Sequence, residues 1–282
     1  MHRFLLVLLL SIQCAHAQIL LAVPRDVILD YQKLLRNREV QEIRDYSGPG
    51  ARRDTVELIL FQQALQRGGM NEQVHLVPVD SYARSLLEVE NGTVEATGTS
   101  VWASDVTQSK ARLSVPLIRD GEYVVGFYMV EGHPQLRKVG LKELRGMTVV
   151  TNKAWKNDIA TLDNLGIGNV QSAPTFGMIA KMLREGRGDF TMASFKSSAD
   201  MSFEVEGVRL VPIPGMKVAM PGSRHFLLAP TAFGAQVLEA LNKGLSQMRK
   251  EGLIRRAYTD AGFFNPRVES WTLLNPNAFS GN

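Results

Sequence analysis

Apolar and polar positions alternate in two rhythms along this chain, and the two rhythms take turns. Short runs of β-type residues are followed by segments in which apolar residues recur every three or four positions. That order predicts an α/β protein with parallel sheets covered by helices. Ile19 to Val23 opens as a strand. Residues 54–67 place Val56, Ile59, Leu60, Ala64 and Leu65 on one helical face, with an Asp54-x-x-Glu57 capping pattern at the start and Gly68-Gly69 at the end. Val74 to Val79 predicts a strand, Ser81 to Glu90 a short helix, and Thr93 to Trp102 an extended segment leading into a polar loop.

The second half repeats the theme. Glu122 to Val130 is too apolar for the surface and predicts a long buried strand. A helical turn at Leu141 to Arg145 precedes a strand from Met147 to Thr151. Thr175 starts a helix whose Phe176, Ile179, Met182 and Leu183 face inward, and Asp189 to Ser194 is again a strand. Val208 to Pro212 and His225 to Ala229 are further strands, separated by a Pro/Gly-punctuated passage at 212–222 that suits a crossing between lobes. Val237, Leu238, Leu241, Leu245 and Met248 share a helical face, and Leu253 to Asp260 makes a last short helix.

The chain's first seventeen residues change the setting of this pattern. His2 and Arg3, the apolar run Phe4 to Leu10 and the exit Ala15-His16-Ala17 predict a cleaved secretory signal at 1–17, and hence a periplasmic protein. The apolar run falls well short of the about 20 residues that cross a bilayer, and no later segment is long enough, so no membrane insertion is expected. The one cysteine, Cys14, lies inside that signal. A lipid-anchored alternative would use Cys14, but Ser11-Ile12-Gln13 lacks the usual processing pattern. The mature chain of about 265 residues favours two domains. The formal charge of +4 is spread over interleaved basic and acidic residues with no basic stripe, which argues against nucleic acid.

The order of several short elements resembles that of bacterial extracellular solute-binding proteins of the polar-amino-acid ABC-importer type (family 3, periplasmic binding protein type II-like). Leu87 to Glu95 is similar to the family's L-x-x-G-x-x-D element, and Leu113-Ser114-Val115-Pro116-Leu117 to its F-S-x-P-Y. Leu141 to Val149, Met182 to Asp189 and Leu241 to Phe263 follow the family's later elements in order. The resemblance implies a two-lobed fold with a ligand cleft between the lobes. Carried over, residues 18–130 and 222–282 form lobe 1 and residues 131–221 form lobe 2.

Two departures bear on the ligand. The family's carboxylate-clamping arginine, six residues before the F-S position, falls on Thr107, and its ammonium-binding aspartate falls on Ser194. The resemblance therefore implies a small polar ligand held without the usual amino-acid clamp. Arg84 is a candidate replacement anchor, as are Lys110 and Arg112. Trp102, preceded by Thr99 and Ser100, and Trp155, in the loop with Asn152 and Lys153, are candidate stacking residues across the cleft. Tyr82, Thr175 at its helix start and Ser194 complete the candidate ligand-binding set. Trp271 reads as a packing anchor in the tail.

His75, His133 and His225 are widely spaced and show no metal-ligand pattern, so neither catalytic residues nor a metal or other cofactor are expected. The expected partner is an ABC permease, with a membrane sensor protein as the alternative. An enzyme on the same fold is the third reading.

Overall fold

A computed structural model describes residues 18–276, so the expected signal at 1–17 lies outside the described residues. Among the described residues two large sheets, beside two two-stranded ones, organise the chain, with helices on their faces. In the first, the strands run in the order Val74–Val79, Ile19–Pro24, Ala96–Thr97, Leu227–Leu228, Arg112–Leu113. The first three are parallel, with Ile19 opposite Val74 and Leu21 opposite Ala96, and the last two are antiparallel to their neighbours. In the second sheet Phe203–Val205, Val208–Pro212, Val124–Val130, Met216–Ala219 and Thr272–Leu273 follow one another, and Thr191–Ser194 also pairs with Val124–Val130.

Among the described residues eight α-helices cover these sheets: α1 (Arg25–Leu35), α2 (Arg53–Gly68), α3 (Tyr82–Glu90), α4 (Leu141–Gly146), α5 (Lys156–Asn164), α6 (Phe176–Arg184), α7 (Ala232–Lys250) and α8 (Leu253–Asp260). The apolar face expected of α2 is buried throughout: Val56, Ile59, Leu60, Ala64 and Leu65 join Leu241, Leu245 and Met248 of α7 in one core. The two helices cross in close contact at glycines. A Cβ on Gly244 would stand 1.9 Å from the Ala64 carbonyl oxygen and one on Gly68 would stand 2.0 Å from that of Ala240, so only glycine permits this approach.

Several elements differ from the expectation. Helix α1 was not anticipated, because it starts directly at a strand end behind Pro24 with no capping side chain. The helix α2 cap is not Asp54 with Glu57. Instead the Arg52 N–H donates to Thr55 Oγ1 at 3.0 Å, and Asp54 and Glu57 are engaged by Arg53. The passage at 212–222 contains the strand Met216–Ala219, and His225 to Ala229 splits: Arg224–His225 pairs with Val101–Trp102, while Leu227–Leu228 joins the first sheet. The strand Val124–Val130, expected with lobe 1, is hydrogen-bonded wholly within the second sheet, as is Thr272–Leu273. The chain therefore leaves the first sheet before residue 124 rather than after 130.

Candidate functional site

Between the two sheets lies a cleft of about 940 Å³. Its first wall is made by the N-terminal turns of α1 and α2, by Thr99 and Trp102, and by Arg224. Its second is made by Trp155 and Asp158 at the start of α5, Thr175 and Phe176 at the start of α6, and Met192, Ala193, Ser194 and Lys196. The parts of the first wall come together through one register: Arg224 lies opposite Trp102 in the antiparallel pair, which brings a cation and an indole from distant parts of the chain to one place.

Arg224 is 5% exposed. Its Nε donates to Ser100 Oγ at 3.0 Å and its Nη2 donates to the Ser100 carbonyl. The guanidinium carbon sits 4.6 Å from the centre of the Trp102 ring and 5.5 Å from that of Tyr123, a stack that holds a cation against aromatic faces. Among the described residues no carboxylate lies within 4.0 Å of it, and Nη1 has no hydrogen-bond partner. Arg224 lines the cleft, and the donors of this nitrogen are free among the described residues.

The second arginine is spoken for. Arg53 Nη1 donates to both Glu57 oxygens at 2.9 Å and to Ser100 Oγ at 2.9 Å, while its Nη2 donates to Asp54. Glu57, fully buried, also accepts from Ser100 N–H at 2.7 Å, Ser100 Oγ at 2.7 Å and Tyr258 Oη at 2.9 Å. Ser100 Oγ thus links both guanidiniums to one buried carboxylate. Burial alone would raise the Asp54 carboxyl, but Arg53 and Arg52 outweigh it and hold it down at about 2.

Lys196 faces these groups from the other wall. Its Nζ lies 4.7 Å from the Phe203 ring centre. Burial, with the nearby Arg52 cation second, lowers its ammonium to about 8. Asp158 goes the other way: burial pushes it up to about 7 against a 3.2 Å hydrogen bond from Thr151 Oγ1. The folded protein therefore keeps a proton on Asp158 that the unfolded chain releases near pH 4, and this group's contribution to stability falls as pH rises from about 4 to about 7. Asp158→Asn is expected to melt close to the wild type at pH 4 and above it at pH 8. Identical differences at both pH values in thermal melts followed by circular dichroism would contradict the assignment.

The expected site residues divide into those in the cleft and those outside it. Trp102, Thr99, Tyr82, Trp155, Thr175 and Ser194 line it. Tyr82 Oη donates to Asp105 at 2.8 Å and accepts from the Trp102 N–H, Thr175 caps α6, and Ser194 Oγ lies 3.3 Å from Tyr123 Oη. Ser100 is buried behind the wall as the link between the arginines. Thr107 is exposed at the end of a 3-10 turn outside the cleft. Asn152 turns its amide to the Pro174 carbonyl at 3.1 Å and is, like the exposed Lys153, outside the lining. Arg84 is on the far side of the wall, paired with Glu88 one helical turn on and beside a separate depression of about 640 Å³. Lys110 and Arg112 are exposed and outside the cleft as well. Trp271 packs edge-on against Phe195, 5.4 Å between ring centres.

Sequence reasoning passed over Arg53, Asp54, Tyr123, Asp158, Lys196 and Arg224. A signal existed for Arg53 and Asp54, since a charged Arg52-Arg53-Asp54 triplet opens a strongly apolar helix. Among the described residues there is no group of three or more His, Cys, Asp or Glu side chains placed to hold a metal. His225 bridges Ser223 Oγ and the Ser114 carbonyl, both at 2.7 Å, away from the cleft lining.

No protein-family model matches the sequence, and neither does any curated protein. Solved structures do match. The periplasmic VFT2 domain of Bordetella pertussis BvgS superimposes with a TM-score of 0.58 at 14% identity, covering 86% of this chain and 92% of that domain. The probable amino-acid ABC transporter extracellular-binding protein ytmK of Bacillus subtilis gives 0.55 at 11% identity over 86% and 97%. The amino acid ABC transporter substrate-binding protein AbpA of Streptococcus pneumoniae, bound to L-arginine, gives 0.53 at 15% identity over 73% and 82%. The chain has the two-lobed fold of periplasmic binding proteins. At these identities the likeness establishes the fold alone. In that fold the cleft described above is the space between the lobes. Among the described residues no helix is long and apolar enough to cross a membrane.

Proposed function

We propose that this chain is an exported binding protein that captures a small polar ligand bearing an acidic group in the cleft between its lobes. The observation that carries the reading is Arg224. A guanidinium that is nearly buried, stacked on two aromatic rings and left without a carboxylate has given up water without gaining an ion-pair partner. Such a desolvation is offset when a ligand supplies the anion. Arg224 in this role takes the place of the arginine that the family pattern would put at Thr107. The fork comes from a different strand, so the ligand is expected to sit in a pose unlike that of the family's amino acids. Closure of the lobes over the ligand follows as a hinge motion in the segments that join them.

The test is a thermal-shift screen of the purified mature protein against small polar metabolites, acidic and neutral. A ligand is expected to raise the melting temperature progressively with concentration, by about 2.7 kcal/mol of stabilisation at about 100 times its Kd. A screen in which acidic compounds do no better than neutral ones would count against the reading. Capture for an ABC permease is the first physiological role, consistent with the likeness to AbpA and ytmK. Reporting to a membrane signalling partner is the second, favoured by the extent of the likeness to the BvgS domain. Loss of ligand uptake on deletion of the gene supports delivery; unchanged uptake with altered ligand-dependent expression supports sensing.

A further inference from the structure

We propose that the cleft is built for a small dicarboxylate, with one carboxylate on the Arg224 guanidinium and the other on the Lys196 ammonium. This assignment rests on the cleft being the ligand site. It adds a second anchor and excludes an ammonium from the ligand.

Lys196 follows the strand Thr191–Ser194 of the second sheet, so its charge approaches the cleft from the wall opposite Arg224. Among the described residues its Nζ has no carboxylate within 4.0 Å and no hydrogen-bond acceptor; its neighbour is the Phe203 ring. The charged groups that face it are Arg52, Arg53 and Asp54 at the start of α2 and Asp30 on α1. Both acids are already engaged. Asp54 accepts from Arg52 and Arg53, and Asp30 accepts from Arg52 at 3.0 Å and Lys33 at 2.9 Å. The lowered ammonium, at about 8, records the outcome: burial and the arginines outweigh the acids. An arriving anion reverses that balance.

An ammonium finds no such welcome. The position where the family pattern puts an aspartate is Ser194, whose hydroxyl meets Tyr123 Oη. Asp105 accepts from Tyr82, and Asp158 holds its proton up to about neutral pH, a form that donates to a ligand oxygen. Glu204 and Lys156 also line the cleft without an ion-pair partner among the described residues, but both are exposed; the unpaired charges withdrawn from solvent are two cations, Arg224 and Lys196, one on each wall.

The experiment is isothermal titration calorimetry on the mature chain. The ligands are malonate, succinate, glutarate, adipate and benzene-1,3-dicarboxylate, each paired with its monomethyl ester, together with aspartate and glutamate. At least one diacid is expected to bind about tenfold or more tightly than its ester at pH 7. Lys196→Met should bring the two within about threefold, and Lys196→Arg should preserve the preference. At pH 9.5 the wild type should lose the preference and Lys196→Arg should keep it, a difference that a merely structural lysine would not produce. The proposal is overturned if no diacid is preferred over its ester, if the preference survives Lys196→Met, or if glutamate binds more tightly than glutarate. Binding of esters or amino acids that depends on Arg224 would leave the cleft as an acid-binding site and remove only the second anchor.

Discussion

Glu57→Ala is expected to cost about 3–5 kcal/mol of stability and to lower the melting temperature by on the order of 10 °C. Glu57 is fully buried on α2 and accepts from Arg53, twice from Ser100 and from Tyr258. Removing it leaves the Arg53 guanidinium, 12% exposed, with Asp54 as its remaining acid and strands the Tyr258 hydroxyl and the Ser100 N–H without an acceptor. A buried charge deprived of its partner is far more costly than the same pair exchanged for apolar groups. Urea unfolding followed by circular dichroism measures the loss. Glu57→Gln, which keeps the volume and one acceptor oxygen, should fall between the wild type and Glu57→Ala. A loss under about 1 kcal/mol would mean that the cations find other partners, and the buried link through Ser100 would then have no structural weight.

The pattern of apolar positions carried the architecture further than the site. The inward faces of α2, α6 and α7 are set by local period and appear where that period puts them. Short elements fared differently. Met216–Ala219 is framed by Gly215 and Pro221 and becomes a strand because Val218 and Ala219 find Val125 and Val124, partners no local pattern reveals. The site was harder still to see. Trp102, Trp155 and Tyr82 are bulky polar-edged aromatics at element ends, a visible signal. Arg224 and Arg53, by contrast, are ordinary basic residues until strand pairing and α2 packing bring both to one hydroxyl, that of Ser100. Counting along one segment led to Thr107, exposed and outside the cleft. The buried cation that lines the cleft comes from a strand paired to that region across the fold. A site assembled from remote segments is legible only after the topology is known.

Arg224→Met follows from that topology and should weaken ligand binding by roughly thirtyfold or more, since losing one partner of a desolvated charge pair costs about 2–5 kcal/mol. Methionine reaches about as far as the arginine Nε and is flexible and apolar, so it covers part of the Trp102 and Tyr123 rings while the donors disappear. Ser100 Oγ retains Arg53 and Glu57, and the melting temperature without ligand should move far less than in Glu57→Ala. Arg224→Lys separates charge from geometry: an ammonium preserves attraction to an anion but offers no planar fork to a carboxylate, and intermediate affinity is expected. Calorimetric titration with the tightest acidic ligand, alongside thermal melts of both variants, checks the pair of outcomes. If Arg224→Met binds as well as the wild type, the stacked guanidinium is a strut between Ser100 and Trp102, and the anion must be held elsewhere in the cleft.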